Sequence, residues 1–79
     1  MGFEEALKAL KDGKKVARQG WNGKGMWLNL QVPDEHSKMT LPYIYMEYPV
    51  NHAAYPQGSR VPWLASQTDL LSTDWTIYA

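Results

Sequence analysis

Three tryptophans of this chain stand beside groups that hydrogen-bond: Trp21 precedes Asn22, Trp27 lies two residues before Asn29, and Trp63 leads into Ser66, Gln67, Thr68 and Asp69. A planar ring next to an amide, a hydroxyl or a carboxylate suits a nucleobase and its ribose. Stacking a base on an aromatic ring contributes about 1–3 kcal/mol, and a site that hydrogen-bonds base or sugar groups rejects analogues that lack them. Arg18 and Arg60 can each offer a phosphate the forked donor pair that lysine lacks.

The same residues have plainer uses. Asn22-Gly23 is the strongest short signal for a tight hairpin turn, and Ser66 and Asp69 have the spacing of a helix N-terminal capping box. Trp75 alternates with Ile77 near the chain end, which reads as core, whereas for Trp63 core and ligand roles stand level. Trp21 lies in the glycine-rich run GWNGKG, from which a monomer's core is hard to reach, so a subunit interface or a ligand is the expectation for it. Lys14, Lys15 and Lys24 read as solvated.

Catalysis finds little support. Neither His36 nor His52 has a serine or carboxylate at a spacing that would build a triad. Asp69 and Asp74, five residues apart at a helix exit, are not expected to aim at one point. There is no phosphate loop, dinucleotide fingerprint or HExxH. The chain reads as a binder and not an enzyme, with no cofactor or metal. The rival readings are a small hydrolase of a nucleotide signal and a protein-interaction module.

The elements that must carry these residues follow from periodicity. Phe3, Ala6, Leu7 and Leu10 recur on one helical face, with acids in the first turn, lysines toward the end and Gly13 placed for a left-handed cap. Val16 and Ala17 start a hairpin whose second strand, GMWLNLQV, puts Met26, Leu28, Leu30 and Val32 on a core face and Trp27, Asn29 and Gln31 on the other. A third strand lies between Pro42 and Pro49, a long loop spans NHAAYPQGS, and Arg60 to Leu64 returns as a fourth strand. A short helix from about Gln67 to Ser72 and a last strand at Asp74–Tyr78 complete an α+β fold: two helices packed on an antiparallel sheet, one domain over residues 1–79.

A single domain this short buries only about 60% of the surface its unfolded chain exposes. With no cysteine for a disulfide, self-association is the expected source of further stability. Eight acidic and eight basic residues cancel, so no net field favours nucleic acid or an anionic membrane. The lack of a long apolar run leads to the expectation of a cytoplasmic protein, neither secreted nor membrane-bound.

Two stretches together, FEEALKALKDGKKVARQGWNGKGMWL and VPWLASQTDLLSTDW, resemble the Thoeris anti-defence 2 family of phage and prophage proteins. The motifs GWNGKGM and PW-ASQTD-L, in this order, carry the resemblance, which covers about half the chain. It implies a non-enzymatic sponge: a homotetramer that sequesters glycocyclic ADP-ribose signals in pockets between protomers, in the cytoplasm of the infected host. Cyclic oligonucleotide signals at a separate site are a further implication. By this resemblance Trp21 and Asn22 are candidate stacking and polar contacts, and Ser66, Gln67, Thr68 and Asp69 candidate partners for ribose, base edge or phosphate. Arg18 is a candidate phosphate ligand, and Trp27 and Trp63 complete the expected ligand-binding set. Between Val32 and Arg60 the chain departs from the family's longer, glycine- and proline-marked segment.

Overall fold

The structure, a computed structural model, describes residues 1–21, 25–50 and 58–78. The Asn22-Gly23 turn, Lys24 and most of the NHAAYPQGS loop with His52 lie outside the described residues. Helix α1 spans Phe3–Lys11, and strands β1 (Val16–Arg18), β2 (Trp27–Gln31), β3 (Tyr43–Glu47) and β4 (Arg60–Pro62) follow. Helix α2 (Gln67–Leu71) and strand β5 (Trp75–Ile77) complete the chain. All pairings in the sheet, of order β4-β3-β2-β1-β5, are antiparallel, so the α+β architecture is that expected from the sequence.

Helix α1 ends as its sequence dictates. Gly13 takes φ +86°, its N–H donates to the Leu10 carbonyl at 3.0 Å, and the Lys14 N–H donates to the Ala9 carbonyl at 2.9 Å. This is the Schellman pair of bonds that satisfies the last carbonyls of a helix. The apolar stripe packs on β1, β2 and β5, burying Ala6, Ala9 and Leu10 against Val16, Leu28 and Trp75. Strand alternation then sends Trp27, Asn29 and Gln31 to the opposite face, where they pair in register with Glu47, Tyr45 and Tyr43.

Leu28 fulfils its core role, but Val32 is 66% exposed. The β2 ladder ends at the pair Gln31↔Tyr43, so Val32 lies past the last residue whose direction the pleat fixes. Met26, one residue before the strand, is half-buried.

Trp75 is the centre of the core at 1% exposure. Its ring meets Phe3 at 5.2 Å, Trp21 at 5.4 Å and Trp63 at 6.0 Å between centroids, the two indoles edge-on. Trp21 therefore does reach the core, against the expectation from its glycine-rich surroundings. Its backbone N–H donates to the Arg18 carbonyl at 3.3 Å, and this tight turn folds the ring back over the end of the sheet. Trp63 joins the same cluster through Phe3 at 5.7 Å.

Candidate functional site

Strand β5 lies beside β1 with Arg18 opposite Trp75. That register carries Asp74 to the end of β1, and α2 brings Asp69 to the same place. The guanidinium of Arg18 donates through Nε to Asp74 Oδ1 at 2.9 Å and through Nη1 to Asp69 Oδ1 at 2.8 Å. The two aspartates thus converge on one cation, contrary to the expectation from their five-residue spacing. Helix α2 ends at Leu71 and Ser72 is already extended (φ −76°, ψ 154°), so helical geometry does not govern the distance between them.

Both carboxylates are fully engaged. Asp69 Oδ1 also accepts the Trp21 Nε1–H at 3.2 Å, and its Oδ2 accepts the Ser66 N–H at 3.2 Å. Asp74 Oδ2 accepts the Gly20 N–H at 2.8 Å. The side chains of Arg18, Asp69 and Asp74 are 14%, 13% and 30% exposed, so the cluster is largely sheltered from water. Desolvation pushes the Asp69 carboxyl up, but hydrogen bonds from Arg18, Ser66 and Trp21 outweigh it and hold the group below its ordinary value. The Arg18 hydrogen bond is the main cause that lowers Asp74, helped by the Gly20 amide. Arg18 is raised by its bonds to Asp74 and Asp69.

The capping box read from the sequence is present. Ser66 Oγ accepts the Asp69 N–H at 3.0 Å while Asp69 reaches back to Ser66 N–H. Asp69 therefore caps a helix, holds Arg18 and orients Trp21 at once. Losing the hydroxyl in Ser66→Ala is expected to cost about 1 kcal/mol, a fall in Tm of about 4–8 °C for a domain of this size, read by thermal denaturation followed by circular dichroism.

Of the expected site residues, Arg18, Trp21, Ser66 and Asp69 meet in this one cluster. Trp63 adjoins it through Trp75, and Gln67 and Thr68 are exposed in the first turn of α2. Trp27 stands apart on the far face of the sheet. There its ring stacks on Tyr78 at 5.0 Å, Lys15 Nζ sits 4.9 Å from its centroid, and its buried indole Nε1 has no acceptor among the described residues. Asn22 lies outside the described residues. His36 is exposed beside Glu35 at 3.4 Å, and Arg60, 66% exposed, stands 3.4 Å from Glu47.

A surface cleft of about 370 Å³ opens beside the cluster, lined by Ala17, Arg18, Gln19, Trp21, Gly25, Met26, Thr76 and Tyr78. Tyr78 links it to Trp27 by stacking. Sequence reasoning did not single out Asp74 as a partner of Arg18, nor Gln19, Thr76 or Tyr78 as cleft residues. The order in which β5 joins the sheet places them, and no local motif announces that order. Arg18 was expected to serve a phosphate. Asp69 and Asp74 already hold its Nε and Nη1, which leaves Nη2 without a partner among the described residues.

The Tad2-like family, described as the Thoeris anti-defense 2-like domain, matches residues 1–78. A protein of Bacillus phage SP01 named Thoeris anti-defense 2 is 36% identical over 85 aligned positions, which cover 98% of this chain and 93% of that protein. A match over nearly the whole length includes both ends of the Arg18–Asp69–Asp74 cluster and every strand of the sheet, and the chain belongs to the Thoeris anti-defense 2-like family.

Proposed function

We propose that this protein is a phage anti-defence sponge that binds cyclic ADP-ribose-type signals, glycocyclic ADP-ribose among them, and releases them uncleaved. The observation that carries the reading is the cleft beside Trp21 and Arg18 in a chain of this family. Its volume of about 370 Å³ falls at the lower end of the roughly 300–1,000 Å³ of small-molecule pockets. Trp21 supplies a plane, Gln19 an amide, and Thr76 and Tyr78 hydroxyls. Asp69 and Asp74 outnumber Arg18 in charge, so the field beside the cleft favours a nucleoside's hydroxyls and base N–H groups over its phosphates, and Nη2 of Arg18, without a partner among the described residues, is the group left for a phosphate.

Nanomolar capture requires about −12 kcal/mol, which a surface cleft on so small a domain does not supply alone. A second copy closing over the cleft would enclose the ligand, and a homotetramer provides such closures in pairs. The open sheet face with Trp27, Tyr43, Tyr45 and Tyr78 supports self-association, since aromatic residues are enriched in subunit contacts. No helix among the described residues is long and apolar enough to cross a membrane, and the host cytoplasm is the proposed place of action.

Calorimetric titration with a panel of cyclic ADP-ribose isomers, paired with sizing of the same samples, tests the reading. Trp21→Leu keeps an apolar group against Trp75 but removes the stacking plane. With stacking at about 1–3 kcal/mol, affinity is expected to fall roughly 5- to 150-fold with the assembly unchanged. Ligand recovered after heat denaturation of the complex should be chemically intact. Altered ligand would establish a hydrolase instead, and flat titrations with every isomer would remove the sponge reading.

A further inference from the structure

We infer that Asp74 is a positioning residue of this cleft: through Arg18 and the Gly20 amide it fixes the turn that presents Trp21. The inference rests on the proposed binding role of the cleft. One oxygen of the Asp74 carboxylate takes Arg18 Nε at 2.9 Å and the other takes the Gly20 N–H at 2.8 Å. The side chain of β1's last residue and the backbone two positions later are thereby tied to a single rigid group. Gln19 N–H, between them, donates to the Asp74 carbonyl at 3.1 Å, so Asp74 accepts from three successive residues leading to Trp21.

Trp21 follows directly, and its indole N–H meets Asp69, the other partner of Arg18. The cluster is a closed ring of contacts: Asp74 to Arg18, Arg18 to Asp69, Asp69 to Trp21, and Trp21 by its own chain back to Gly20 and Asp74. Asp74 does not line the cleft, whereas Arg18, Gln19 and Trp21 do. It acts on the site through the residues it holds, and by engaging Nε it leaves Nη2 of Arg18 without a partner among the described residues.

The glycine at position 20 fits this role. A Cβ there would stand 2.8 Å from Asp74 Oδ2 and 3.5 Å from Arg18 Nη2, closer to the carboxylate than real Cβ atoms come. Nothing larger than glycine leaves the Asp74 carboxylate in its place. Gly20 and Asp74 are thus two independent handles on the same geometry, one steric and one electronic.

Asp74→Asn is the sharper probe, because asparagine keeps the volume but has one acceptor oxygen where two donors must be met. Gly20→Ala retains the carboxylate charge and displaces it. The test measures the indole N–H resonance of Trp21 in ¹⁵N-labelled protein and the affinity for the cyclic ADP-ribose panel, with circular dichroism and sizing to verify that each variant is folded and assembled. Both variants are expected to move the Trp21 resonance while leaving that of Trp27 in place, and to weaken binding about tenfold or more, as loss of a supporting hydrogen bond does around other preorganised sites. A Trp21 resonance that stays put in both folded variants overturns the inference, as does a moved resonance with unchanged affinity. Should wild-type protein bind no isomer, the sponge reading fails, and the resonance alone then decides whether Asp74 sets the Trp21 turn. If one variant does not fold, the other carries the decision.

Discussion

Trp75→Ala is expected to cause the largest loss of thermal stability of any single substitution in this chain. Removing a buried tryptophan costs about 3–5 kcal/mol through lost transfer energy and the cavity left behind. Here the loss is compounded, because Phe3, Trp21 and Trp63 all pack on that ring and its Nε1–H donates to the Asp69 carbonyl at 2.9 Å. Small domains have total stabilities at the low end of about 5–15 kcal/mol, so one substitution consumes most of the margin. At about 4–8 °C per kcal/mol for this chain length, the fall in Tm is on the order of 12–40 °C. Circular dichroism melting checks this directly. A loss under about 0.5 kcal/mol, the level of an ordinary surface change, would show that the aromatic cluster does not hold the fold.

The second large effect concerns Arg18 and pH. Arg18→Ala leaves Asp69 and Asp74 facing one another without their shared cation, and it is expected to destabilise the protein strongly at neutral pH. The sign follows from the depressed carboxyls: Asp69 and Asp74 titrate below their ordinary value in the folded protein. Their contribution is thus fully present above the unfolded carboxyl value of about 3.9 and is lost as pH falls through the folded values. In the variant the carboxylates lose the partner that lowered them, so acid removes less stability from it than from the wild type. The difference in urea midpoint between the two proteins should hold its full width from pH 7 down to about pH 5 and shrink below the unfolded carboxyl value, as pH falls through the folded values. A gap independent of pH would mean that Arg18 stabilises through packing of its stem and not through the two carboxylates.

Local patterns in the sequence announced most of the elements. The stripe of Phe3, Ala6, Leu7 and Leu10, the glycine cap at Gly13 and the alternation around Leu28 each reflect forces acting within a few residues, and helix α1 and strand β2 lie where those forces put them. The Ser66–Asp69 capping box is equally local and was legible for that reason. What remained hidden depends on which distant segments become neighbours. The glycine-rich turn around Trp21 points to a subunit interface or a ligand, yet its ring packs on Trp75, 54 positions further on. Asp69 and Asp74 were judged by helical spacing, but the helix stops between them. Their meeting at Arg18 requires the placement of β5 beside β1, a decision made by burial of Trp75 against α1 and not by any motif.

That placement has a consequence for the life of the molecule in the cell. The first strand to leave the ribosome finds its hydrogen-bonding partner on one side only when the last strand has been made, since Val16 pairs with Ile77 and Ala17 with Thr76. Until Trp75 emerges, Leu10, Val16 and Leu28 have no ring to close over them, and the nascent chain holds an unsealed apolar surface. Closing so long a loop delays folding relative to a chain of local contacts. Closure of the sheet therefore waits for Trp75, and polypeptides cut short before it would lack the ring that seals the core and be substrates for proteases, not weakened copies of the protein.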